Sequence, residues 1–171
     1  MALTEQEEKV LIGLLAKMER PYSEKLFQAI CAHTLTGSVE VAPVSRSGKV
    51  LMFRRRPTDP FFPRQWHIPG TVQFPGDTVN DALTRIIEKE ELRDIRHSDP
   101  QFVNYYEVRK GSGVGENPRG QERSLVFTVS VNERDPGTGT FFPLADLPTD
   151  AISHHKAGLL PMVRKRLFPA K

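Results

Sequence analysis

The stretch from about Val79 to Leu92 constrains this chain more than any other. Val79, Ala82, Leu83, Ile86 and Ile87 fall on one stripe when plotted at about 100° per residue, the pattern of an amphipathic helix seated on a larger surface. Thr78 is placed to cap that helix, with Asp81 three residues on. Glu90 lies inside the stripe, one turn beyond Ile86 and two beyond Leu83. A carboxylate on a buried helix face is costly to desolvate unless it meets a cation or hydrogen-bond donors. Either the helix frays there and Glu90 reaches water, or Glu90 is a metal ligand or the partner of a buried arginine.

The rest of the chain supplies the surface on which such a helix can pack. Val39 to Val44 alternates and Lys49 to Phe53 is apolar and extended, so both read as strands, joined through Ser45-Arg46-Ser47-Gly48 as a hairpin. A proline-rich loop, Pro57 to Pro63, leads into Trp66-His67-Ile68-Pro69-Gly70, and Pro75-Gly76 precedes the helix. Phe102 to Val108 and Ser124 to Val131 read as further strands, with a glycine-rich loop, Gly111 to Arg123, between them. Phe141-Phe142 is a short strand, and His154 to Leu167 a last helix. At the N-terminus Thr4 and Glu7 form a capping box ahead of Val10, Leu11, Leu14, Leu15 and Met18; Pro21 breaks that run and Ser23 starts a second helix to about Ala32. Helix, strands, helix, strands, helix is the order of an α/β or α+β domain, a mixed sheet between helices. Residues 1–34 form a helical extension packed on a main domain of residues 35–171.

Composition excludes several classes. With 171 residues, 38% hydrophobic and 26% charged, the chain can bury a core, so it is neither disordered nor a coiled coil. No run approaches the length of a membrane span, and the acids of MALTEQEEKV do not suit a secretory signal. One cysteine, Cys31, supports no disulfide framework and no Cys-rich metal site, and points to a reducing cytoplasm. A net charge of +3 is too mild to indicate nucleic acid. Basic residues do cluster at Arg54-Arg55-Arg56 and Arg164-Lys165-Arg166, but without interleaved aromatics, so nucleic acid is not an expected partner.

The segment from Gly70 through Leu92 resembles the Nudix box. In that pattern a glycine is followed at fixed gaps by a glutamate, an Arg-Glu pair, an apolar residue, a Glu-Glu pair and a closing glycine. Here Thr71 falls at the opening glycine, Asp77 at the first glutamate, Arg85 at the arginine, Ile87 at the apolar position and Glu90 at the last glutamate. Trp66 to Gly70 is similar to the lead-in strand and Pro-Gly turn, and Arg54 with Pro57 to the arginine-bearing strand upstream. The box departs from its pattern at Thr71, Ile86, Lys89 and Leu92. Of the three carboxylates that hold cations on the family's helix, one is left. The GDP-mannose mannosyl hydrolases are similar in this respect: they keep an apolar residue after the box arginine and only the last glutamate, with one magnesium and a histidine base on a late loop.

The resemblance implies a Nudix (MutT-like) fold and a hydrolase acting on a nucleoside diphosphate linked to another group. It implies Mg²⁺ or Mn²⁺, as a single ion, since Ile86 and Lys89 remove two negative charges and add a positive one. On this reading Glu90, the backbone near Thr71, and Asp77 hold the metal. Glu90, Arg85, His155 and Glu116 are the candidate catalytic residues, with Glu122 a second loop carboxylate. Arg54 reaches a phosphate and Trp66 contacts substrate. The alternative is a Nudix-fold module that binds a ligand, or regulates, without turnover. The N-terminal helices are candidates for a homodimer contact.

Overall fold

The computed structural model describes residues 3–19, 22–88, 92–108 and 120–169. Its centre is β1 (Thr36–Val44), a strand whose residues are nearly all buried. Side chains alternate across a strand, so Val39 and Val41 face one side while Ser38, Glu40, Ala42 and Val44 face the other. On one edge β1 pairs in parallel with β6 (Glu122–Ser130) along their whole length, from Thr36↔Glu122 to Val44↔Ser130. β5 (Gln101–Val108) adds antiparallel to β6, with a register shift between Phe102 and Asn104. On the other edge β1 meets two partners. β2 (Lys49–Arg54) joins its C-terminal end, Val44↔Val50, and β4 (Gly70–Val72) its N-terminal end, Glu40↔Gly70. β3 (Trp66–His67) and β7 (Thr140–Pro143) both pair with β2. The result is a seven-stranded mixed sheet, the α+β architecture expected from the order of elements.

Each face of the sheet is covered by one helix. α3 (Val79–Glu88) places Ala82, Leu83 and Ile86 against Val39, Val41, Leu51 and Phe53. α4 (Leu160–Leu167) places Leu160 and Val163 against Ala42, Val44, Val50 and Met52. Thr78 and Asp81 cap α3 reciprocally: the Thr78 N–H donates to Asp81 Oδ2 (2.8 Å) and the Asp81 N–H to Thr78 Oγ1 (3.2 Å). The Thr78 hydroxyl also donates to Asp81 Oδ2 (2.7 Å), and this bond, with that from the Thr78 N–H, holds the Asp81 carboxyl below its usual range.

The last helix differs from its expected form. It opens as a π-helical turn, His155–Leu159, with the Leu160 N–H donating to the carbonyl of His155. Pro161 has no N–H to give an α-helical bond, and Gly158 lies against the Tyr106 ring, so close that a Cβ there would sit 2.0 Å from Cζ. At the N-terminus the two expected helices form as α1 (Glu5–Leu15) and α2 (Glu24–His33). α2 buries Cys31, whereas α1 buries none of its residues. No helix among the described residues is long and apolar enough to cross a membrane.

Candidate functional site

A cleft of about 890 Å³ opens between β2, the loop after it and the C-terminal half of α3. Ligand sites fall within about 300–1,000 Å³. Arg54, Arg55, Arg56, Arg85 and Arg93 line it, with Asp59 and Glu88 as the acids and His67 at its floor. Five guanidinium groups in one concavity make a site for an anion, above all for phosphate oxygens, whose geometry they match in pairs.

Most of these arginines are held in place by the fold. One end nitrogen of Arg85, NH2, donates to Asp77 Oδ2 (2.6 Å) and to the Val72 carbonyl (3.1 Å), and the guanidinium lies 4.8 Å from the Phe74 ring centre. Arg54 pairs with Asp150 (2.7 Å) and covers the ring of Trp66 at 4.9 Å. Arg55 faces Asp59 at 3.3 Å, and Asp59 in turn accepts the N–H groups of Phe61 and Phe62, which folds the proline-rich loop toward the cleft. Arg93 donates through Nε and NH2 to the carbonyl of Glu88. The Nε atoms of Arg55 and Arg85 are buried without a hydrogen-bond partner among the described residues. Such an orphan donor costs about 1–3 kcal/mol.

Of the residues expected from the sequence, Arg54 and Arg85 do line the cleft. Asp77 does not line it; it stands behind Arg85, its Oδ2 also accepting the Phe74 N–H (2.6 Å). Thr71 is half-buried in β4, opposite Val39. Trp66 packs edge-on against Phe142, ring centres 5.0 Å apart, and is not among the lining residues. His155 lies away from the cleft, on the α4 side. It is buried, accepts the Ile68 N–H at Nδ1 (3.2 Å), and sits 4.0 Å from the buried carboxylate of Glu40. Glu122 is buried in β6, not on the loop, and there Ser38 and Ser124 donate to it (2.7 and 3.3 Å). Glu90 and Glu116 lie outside the described residues.

Sequence reasoning missed Glu88 and Arg93. Glu88 sits three residues after Arg85, and so on the same helix face; that spacing was the available signal. Arg93 follows the helix, and nothing local marks it.

Divalent ions need several oxygen ligands carrying negative charge. Among the described residues no three His, Cys, Asp or Glu side chains converge to hold one. The residue after Arg85 is Ile86, fully buried in the core, and Asp77 is engaged with Arg85 and a backbone amide. The described residues therefore do not by themselves fit a divalent ion, and Glu90, the box position expected to hold the single ion, lies outside them.

The model of the NUDIX domain matches residues 34–162, and the chain belongs to the Nudix family. Solved structures agree in fold. The NUDIX domain of NrtR from Shewanella oneidensis, complexed with ADP ribose, superposes with a TM-score of 0.57 at 16% identity, covering 96% of this chain and 99% of that one. A protein described as a possible asymmetric diadenosine tetraphosphate hydrolase from Jonesia denitrificans gives 0.60 at 20%, over 79% of this chain and 96% of its own. A MutT NUDIX hydrolase from Burkholderia pseudomallei gives 0.56 at 21%, over 77% and 99%. Identities this low establish shared fold and no more. No curated protein matches the sequence significantly.

Proposed function

We propose that the chain is a hydrolase that takes a nucleoside diphosphate linked to a second group into the arginine-lined cleft and cleaves it there. The convergence of Arg54, Arg55, Arg56, Arg85 and Arg93 on one concavity carries this reading. A diphosphate bound among them has its charge neutralised, and the guanidiniums stabilise the further charge that develops at phosphorus as water attacks. The water's oxygen bonds to phosphorus, the bridging P–O bond breaks, and the departing group leaves with its oxygen. The proton passes to a carboxylate, for which Glu88 on α3 is the described candidate, with Glu90 two residues further along the sequence. Hydrolases of this family generally use divalent cations. The family fold and the ADP ribose held by the NrtR domain support the ligand class. The single cysteine supports a cytoplasmic place of work.

A second reading, a Nudix-fold binding or regulatory protein without turnover, is favoured by one observation. Ile86 is buried in the core where the box has a glutamate.

The test is a turnover panel of ADP-ribose, GDP-mannose, diadenosine tetraphosphate and nucleoside triphosphates, with Mg²⁺ and with Mn²⁺. The expected result is hydrolysis of a diphosphate-linked compound, reduced at least about 100-fold by Glu88→Gln or Glu90→Gln, the scale of a lost general base. A folded protein that turns over nothing moves the assignment to the second reading.

A further inference from the structure

The family's box brings metal to substrate on a negatively charged helix, and the cleft described above is positively charged. Resting on the reading that this cleft takes a diphosphate, we infer that it does so through its guanidinium groups directly, with no divalent cation bridging protein and phosphate.

Charge decides the matter first. Five arginines and two acids line the cleft. When Asp77 and Asp150, which hold Arg85 and Arg54 from behind, are included, the balance among the described residues is five positive charges to four negative. A divalent cation entering this lining meets repulsion at distances shorter than the screening length of about 8 Å in physiological salt, whereas a diphosphate meets attraction. Ligand chemistry points the same way. A cation needs carboxylates that converge, and the described residues offer none, because Asp77 faces Arg85 and Ile86 faces the core.

The arginines also have what direct phosphate binding requires. Arg85 and Arg93 are each fixed by two hydrogen bonds to partners on the protein, so they are positioned before ligand arrives. An oxyanion drawn among the guanidinium groups that line the cleft meets N–H donors, which a hydrated cation cannot use.

The experiment is calorimetric titration of the protein with ADP, in EDTA and in Mg²⁺ at the same ionic strength. Binding in EDTA is expected to be at least as tight as in Mg²⁺, where part of the nucleotide is chelated. Affinity in EDTA is expected to fall steeply with added salt, and Arg93→Ala and Arg55→Ala each to weaken it at least tenfold with unchanged circular dichroism. ADP binding that appears only with Mg²⁺, or is tenfold or more tighter with it, overturns the inference and leaves the proposed function standing. Absence of ADP binding in both buffers overturns the ligand class itself, and the inference with it. The wild-type comparison needs no variant, so a substitution that fails to fold leaves the outcome readable.

Discussion

A methyl group built on Gly70 would lie 2.1 Å from Oε2 of Glu40 and 2.4 Å from Oε1, well inside contact distance. The carboxylate has little room to retreat, since Glu40 is 5% exposed and the buried His155 has its Nε2 4.0 Å from Oε2. Gly70→Ala is therefore expected to lower unfolding free energy by about 1–3 kcal/mol, the cost of overpacking. Urea denaturation measures this. In a Glu40→Ala background the same change is expected to cost less than about 0.5 kcal/mol, because the two substitutions meet at one contact and are not additive. The Pro69-Gly70 pair was expected as a turn, whereas Gly70 opens β4, and its collision partner was not legible at all. Glu40 and Gly70 are brought opposite each other by the pairing of β1 with β4, and no local pattern encodes that register. Arg93 escaped notice for the same reason: its place in the cleft depends on the fold around it, not on its neighbours in sequence.

Elements whose sequence carries its own periodicity were read well, and α3 is the plainest case. Its cap, Thr78 with Asp81, and its core stripe through Ile86 both stand where the spacing put them. Strand ends moved by one to three residues, since pairing rather than propensity sets where a strand stops; β1 begins at Thr36 because β6 meets it there. The last helix was expected where it stands, but its π-helical opening was not legible, because the Tyr106 ring against Gly158 comes from a distant strand. α1 shows the other limit of periodicity. Val10, Leu11, Leu14 and Leu15 predict a packed face, yet they are 44–59% exposed. A helix that buries nothing contributes little to the domain, so removal of residues 1–19 is expected to shift the melting temperature by no more than about 2 °C. A larger drop, in a thermal scan of the truncated chain, would show that α1 is held by contacts in solution.

At the scale of the whole molecule, the cleft is assembled from parts that the sequence displays separately. The Arg54-Arg55-Arg56 run was visible as a basic patch and Arg85 as a box residue, but the fold makes them walls of one site by setting β2 beside the end of α3. Acid stability is distributed across the sheet in a similar way. Glu133, just past β6, accepts from Lys49 of β2 at 2.6 Å and is also bonded to Ser47, and these contacts pull its carboxyl from 4.5 to about 2. A lowered folded value means the contribution is complete above about pH 4.5 and is lost as pH falls toward 2. Melting temperatures at pH 5, 3 and 2 are expected to fall less steeply in Glu133→Gln than in the parent chain. One feature of the sheet bears on how the protein is made. β1 is finished by Val44, but the strand that pairs along its whole length does not begin until Glu122. At a synthesis rate of about 5–20 residues per second, that partner trails by roughly 4–15 s. Through that interval β2, β4 and α3 are already made, but the edge of β1 that β6 will cover carries unpaired backbone N–H and C=O groups, a template for pairing with another chain.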